Sequence, residues 1–177
     1  PLIETDALVE ALQSYNEVFN DSYMSLMSQK MGLLIPEDED QDLIHRCLMM
    51  MAENRLDYTF FFRQLSHLND AKVQQTLRDL CLNRASFDQC VSNILQRWQR
   101  EAVSESVRIK SMNAVNPKYI LRNHLAQQAI TRAQKGDYTE VQRLHTLLQH
   151  PFDEQPEYEQ YAALPPDWAQ ELEISCS

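Results

Sequence analysis

A chain of 177 residues with 44% hydrophobic content can bury roughly 70% of its unfolded surface, enough for one ordinary domain and hardly for two. Its two glycines, Gly32 and Gly136, are too few and too far apart for a phosphate-cradling loop or a dinucleotide fingerprint. A formal charge of −10 speaks against a nucleic-acid partner and against an anionic membrane, and no apolar run approaches the roughly 20 residues of a membrane span.

In chain order, Thr5 or Asp6 can cap a first helix whose apolar positions Leu8, Leu12, Tyr15, Phe19, Tyr23, Leu26 and Met27 step by three and four until Gly32 ends it. The acidic run from Glu37 to Asp40 then precedes a second helix with Leu43, Ile44, Cys47, Leu48, Met50 and Met51 inward, and the acids complement its dipole. Asp57 opens a third helix rich in aromatics (Phe60, Phe61, Phe62). Asn69 or Asp70 starts a fourth, which breaks near Asn83. Ser86 begins a fifth, carrying Phe87, Cys90, Val91, Ile94, Leu95 and Trp98 and running on past Glu105.

Asn116 before Pro117 reads as the cap and first turn of a sixth helix through Tyr119, Ile120, Leu125, Ala126, Ala129, Ile130 and Ala133 to Gly136. Its early donors Lys118, Arg122 and Asn123 sit where the dipole favours acids. They form either a solvated face or a docking site for carboxylates, those of the C-terminal arm or of a part outside this chain. After Gly136, Asp137 and Glu140 have capping-box spacing ahead of Val141, Leu144, Leu147 and Leu148. The expected fold is therefore all-α, with about seven helices in a domain over 1–150 and an extended arm over 151–177. The arm has four prolines, seven acids and no Lys or Arg, too little for a core of its own. Its recurring Phe152, Tyr158, Tyr161, Leu164 and Trp168 suit a strand of chain laid over a surface.

Chemistry-bearing patterns are sparse. The run from Asp38 to Asp42 lacks the glycine and the last acid of a calcium loop. His45, His67, His124, His145 and His150 show no zinc spacing, and no nucleophile elbow can form with so few glycines. Met24, Met27, Met31, Met49, Met50 and Met51 read as plastic core filling. Cys47, Cys81 and Cys90 read as small core hydrophobes, while Cys176 stands one residue from the chain end. Pro1, with no Met or leader before it, reads as the start of a fragment.

Residues 29–33, 56–66, 112–126, 165–168 and 174–177 together resemble the C-terminal part of the selenoprotein O (SelO/YdiU) family. Asn116-Pro117-Lys118-Tyr119 and the terminal Ser175-Cys176-Ser177 are the specific signals. The resemblance implies the C-terminal part of a kinase-like protein adenylyltransferase, which uses ATP with Mg or Mn to place AMP on hydroxyls of protein substrates. Its nucleotide-binding, metal-holding and catalytic residues are expected in an earlier kinase-like core, so this chain is expected to hold no cofactor or metal and to be inactive alone. That core and, through the whole enzyme, protein substrates are the expected partners, in a bacterial cytoplasm. Cys176 matches the family's near-terminal selenocysteine, implying a redox thiol that pairs with a cysteine of the core. Asn116, Pro117, Lys118, Arg122 and Asn123 carry over only as structural or docking residues. The alternative is a freestanding helical module that binds partners through the acidic, aromatic arm.

Overall fold

The computed structural model describes residues 5–169, and among these every regular element is helical. In order they are α1 (Thr5–Lys30), α2 (Asp40–Glu53), α3 (Tyr58–Leu65), α4 (Ala71–Asp79), α5 (Arg84–Gln99), α6 (Glu105–Val115), α7 (Asn123–Ala133) and α8 (Thr139–Leu148), then 3-10 helices at Pro156–Ala162 and Asp167–Ala169. The all-α class expected from the sequence is the one observed.

Capping chemistry sets several starts. The carboxylates of Asp57 and Asp70 accept from the N–H groups of Phe60 and Lys72, both at 2.8 Å, and Asn83 accepts from Ser86 at 3.1 Å. That last bond opens α5 at Arg84, two residues ahead of the expected Ser86. Three of the stops follow one pattern. Gly32 (φ 68°) and Gly136 (φ 82°) adopt left-handed backbone, and the next residue's N–H returns to a carbonyl of the last turn, Leu33 to Ser28 at 2.9 Å and Asp137 to Arg132 at 3.1 Å. α2 ends the same way with Arg55 (φ 52°) in the glycine's place and Leu56 bonded to Met51 at 3.0 Å.

Two expected helices differ. The run from Ser86 past Glu105 is two helices, because the chain turns over residues 100–104 to bring Glu101, 6% exposed, into a buried ionic cluster. The helix expected to open at Asn116 and Pro117 opens at Asn123 instead.

Buried apolar residues fall into two clusters. The larger joins Met27 and Met31 at the end of α1 to Ile44, Cys47 and Met51 of α2, Phe61, Phe62 and Leu65 of α3, Leu77 of α4, Phe87, Ile94 and Trp98 of α5, and Met112 of α6. α2 lies against α5, and α1 against α6. Cys47, Cys81 and Cys90 are buried free thiols; the Cys47 thiol is pushed up by its hydrogen bond with Cys90 and by burial. In the methionine set, Met49 is exposed whereas Met27, Met31, Met50 and Met51 are core.

The second cluster holds Tyr119, Leu125 and Ala129, Leu144 and Leu147 of α8, and Tyr161, with Tyr158 and Ala162 against it. The arm thus completes the core of the α7–α8 pair, much of it as a turn of 3-10 helix rather than extended chain. α1 is helical as expected, but most of its apolar face is not covered by the described residues. Leu8, Leu12, Tyr15, Phe19, Tyr23 and Leu26 are between 40% and 62% exposed, because the body reaches only the last turns of this helix, about 39 Å long at 1.5 Å per residue. No helix among the described residues is long and apolar enough to cross a membrane.

Candidate functional site

The residues around Asn116 end a helix instead of starting one. A proline disfavours the helical backbone of the residue before it, and Asn116, at φ −109° and ψ 101°, leaves α6 there as its C-cap. Its side chain, fully buried, does not cap. The amide N–H donates to the Lys30 carbonyl at 2.9 Å and the amide oxygen accepts from Lys30 Nζ at 2.9 Å, which ties the end of α1 to the end of α6. Lys30 Nζ also stands over the rings of Tyr58 and Phe62, 5.4 and 5.1 Å from their centroids, and burial lowers its pKa.

Pro117 frees the following backbone to meet the arm. The N–H groups of Lys118 and Tyr119 both donate to the Pro151 carbonyl, at 2.8 and 3.1 Å, and Tyr119 Oη donates to the Gln155 carbonyl at 3.0 Å. Lys118 Nζ donates to Glu154 and Glu159, each at 2.6 Å. Arg63, 7% exposed on α3, completes the junction. It donates to the carbonyls of Asn113 and Asn116 and, at 2.6 Å, to Glu154. Partial burial opposes the Glu154 charge, but Lys118 and Arg63 outweigh it and hold the carboxyl below its usual range. Lys118 is raised on the same terms, its two carboxylate partners overcoming desolvation.

Arg122 faces another way. It makes a two-pronged pair with Asp57, at 2.5 and 3.0 Å, so one carboxylate both caps α3 and fixes the approach to α7. Burial would raise the Asp57 pKa, but the Arg122 and Phe60 hydrogen bonds leave it lowered. Asn123 is the exposed first residue of α7. His124 is buried edge-on to Trp168, ring centroids 6.2 Å apart, and desolvation with Arg122 nearby lowers its pKa. An open groove of about 850 Å³ lies alongside, lined by Arg55, Leu56, Ile120, Leu121, His124 and Leu164 among others. Of the sequence-derived residues, Asn116, Pro117 and Lys118 meet at one junction, Arg122 and Asn123 lie at the groove, and Cys176 falls outside the described residues. Lys30, Arg63, Lys118 and Arg122 are each engaged by a carboxylate, a carbonyl or an aromatic face, so the chemistry these four offer is clamping.

A second polar centre gave no motif to read. Arg97, 2% exposed, pairs with Asp40 at 2.7 Å and Glu101 at 3.0 Å and donates to the Ile35 carbonyl. Glu101 also receives Arg108 at 2.6 Å and the N–H groups of Leu34 and Ile35, both at 3.0 Å. Arg108 reaches the Gly32 carbonyl and stacks on Trp98, whose indole N–H donates to Met31 at 2.9 Å. Asp40, read from the sequence as one of the acids that complement a helix dipole, is 3% exposed. The one hint in the sequence was the four-residue spacing of Arg97 and Glu101. Glu140 likewise does not close a capping box; it accepts from Tyr161 Oη at 2.7 Å and pairs with Arg143 and Arg132.

These features define a helical chain whose polar block is a clamp between its helices and its arm. The family model for the protein adenylyltransferase SelO matches residues 1–149, and the chain belongs to that family. The protein nucleotidyltransferase YdiU of Pseudomonas fluorescens (strain SBW25) is 47% identical over 178 residues, covering 100% of this chain and 37% of the relative. The proteins of that name from Yersinia pseudotuberculosis serotype O:1b (strain IP 31758) and Vibrio vulnificus (strain CMCP6) are each 46% identical, over 99% and 100% of this chain and 36% and 37% of their own lengths. The chain thus spans little more than a third of these relatives.

Proposed function

We propose that the chain is the C-terminal helical portion of a bacterial, cytoplasmic protein adenylyltransferase, which transfers AMP from ATP to Ser, Thr or Tyr hydroxyls of other proteins with pyrophosphate leaving. Its part in that enzyme is structural: it supports a kinase-like core that holds ATP and Mg or Mn, and it carries Cys176 as a redox thiol. The observation behind this is sequence identity along the entire chain to nucleotidyltransferases almost three times its length. The geometry supports a structural role for the polar block only in this sense: Lys118, Arg63 and Arg122 are already paired with carboxylates of the chain itself.

Among the described residues no three His, Cys, Asp or Glu side chains gather as a metal site requires, and no step of the transfer is assigned to them. A freestanding module binding partners through its arm is less well supported, because Tyr161 is buried and Glu154 and Glu159 are held by Lys118.

The test is transfer from ATP labelled at its α-phosphate. The longer protein incorporates label into itself or added protein, and the 177-residue chain incorporates none. Transfer by the 177-residue chain, or none by the longer protein, contradicts the assignment. For the thiol, mass spectrometry of the unreduced longer protein finds Cys176 in a disulfide under oxidising conditions; a Cys176 that is always free removes the redox role.

A further inference from the structure

The apolar side of α1 has no cover among the described residues. Leu8, Leu12, Tyr15, Phe19, Tyr23 and Leu26 are spaced by three and four, so they line one side of the helix. That stripe is about 27 Å long at 1.5 Å per residue. Tyr15, Phe19 and Tyr23 stack in sequence with centroids 6.1 Å apart. Scattered apolar side chains are ordinary on a surface, but a continuous stripe of six large ones marks an interaction surface. Helical periodicity puts the exposed acids Glu17 and Asp21 on the other side, so α1 has the pattern of a helix half-buried along its length.

Two further observations bear on what covers it. The root of α1 is held firmly: Asn116 binds Lys30, Trp98 binds the Met31 carbonyl at 2.9 Å and Arg108 binds that of Gly32. The stripe is therefore presented in a set direction. Near that root it borders a groove of about 490 Å³ between α1 and α2, lined by Phe19, Tyr23, Gln41, Ile44, His45 and Leu48. Meanwhile 63% of the length of the Pseudomonas fluorescens relative lies outside the matched region, while the match itself includes all of α1.

We propose that the α1 stripe and the adjoining groove are the seam on which the rest of the same polypeptide docks, through an apolar surface about five helical turns long. This rests on the assignment of the chain to a longer nucleotidyltransferase. Six half-exposed side chains of this size supply on the order of several hundred Å², the scale of one side of a standard interface.

Hydrogen exchange read by mass spectrometry, on the longer protein and the 177-residue chain side by side, tests it. Amides of residues 8–23 are expected to exchange at least about 100-fold more slowly in the longer protein. The double substitution Leu12→Asp with Phe19→Asp removes that protection, and Glu17→Ala, on the other side, leaves it. Equal exchange in the two proteins overturns the proposal. So does self-association of the longer protein that the double substitution abolishes with loss of α1 protection, since a second copy is then the occupant. A longer protein that transfers AMP with α1 unprotected refutes the seam alone; protected α1 in a protein without transfer refutes the activity alone.

Discussion

Replacing Glu101 by Gln keeps the side chain's shape and removes its charge at the centre of the buried cluster. The side chain is 1% exposed, and its two oxygens accept from Leu34 and Ile35 N–H and from Arg97, all at 3.0 Å, and from Arg108 at 2.6 Å. In Gln one oxygen becomes an NH2 group facing a donor, so whichever way the amide turns, a buried donor is orphaned. A buried donor without an acceptor costs about 1–3 kcal/mol, and a buried ion pair broken on one side about 3–5 kcal/mol. Because the two overlap, the expected loss is about 3–5 kcal/mol, a large part of the roughly 5–15 kcal/mol that holds a domain together. At a slope of about 2 kcal/mol per molar urea, the unfolding midpoint followed by far-UV circular dichroism drops by about 2 M. Asp42→Ala is the control: its pair with Arg46 is 79% and 55% exposed, so the change is below about 0.5 kcal/mol. A loss under about 1 kcal/mol for Glu101→Gln would refute the view that this cluster fixes the connector between α1 and α2.

Lys118→Glu sets a third acid against Glu154 and Glu159, so Glu-C and chymotrypsin cut residues 151–162 faster; trypsin has no site there. Arg122→Met leaves arm cleavage unchanged, because its partner is Asp57; equal sensitivity in both variants would contradict the division of labour. Arg55→Gly relieves a left-handed backbone that costs a non-glycine residue about 1–2 kcal/mol, and the net gain in urea titration is about 1 kcal/mol. Asp57 and Glu154 both titrate below their ordinary values of 3.8 and 4.5. The stability they contribute is complete above those values and is lost as pH falls through the depressed ones. Unfolding midpoints therefore hold down to about pH 5 and then decline. Asp57→Asn, which can still cap α3, shows a shallower decline; an unchanged acid limb would refute the coupling to Arg122.

Local chemistry was readable wherever one residue decides the backbone. Gly32 and Gly136 stop helices because they take φ values that side chains resist, and Asp57 and Asp70 start them by accepting an orphan N–H. Asn116 and Pro117 misled because the same pair serves either end: proline suits a first turn but also expels the preceding residue from a helix. Tertiary demand settled it, through Lys30 on one side and Pro151 on the other. Arg55 and the turn over 100–104 had no glycine or proline to announce them. Burial of Asp40, Arg97 and Glu101 depends on partners up to 67 residues apart, which no local window contains. The α1 stripe was legible as a helix face but its exposure was not, since periodicity says which side is apolar and not what covers it. Lys118 and Arg122 share a spacing but not a partner, because the backbone between them is not helical.

Nucleotide-dependent thermal stabilisation tests the central claim, that these residues clamp and support while nucleotide chemistry belongs to the rest of the protein. Ligand at about 100 times its dissociation constant stabilises a folded protein by about 2.7 kcal/mol. The longer protein should therefore unfold several degrees higher with millimolar ATP and Mg, while the 177-residue chain unfolds at the same temperature with and without them. A saturable upward shift in the 177-residue chain, removed by Lys118→Glu or Arg122→Met, would place the nucleotide at the polar block and contradict the account.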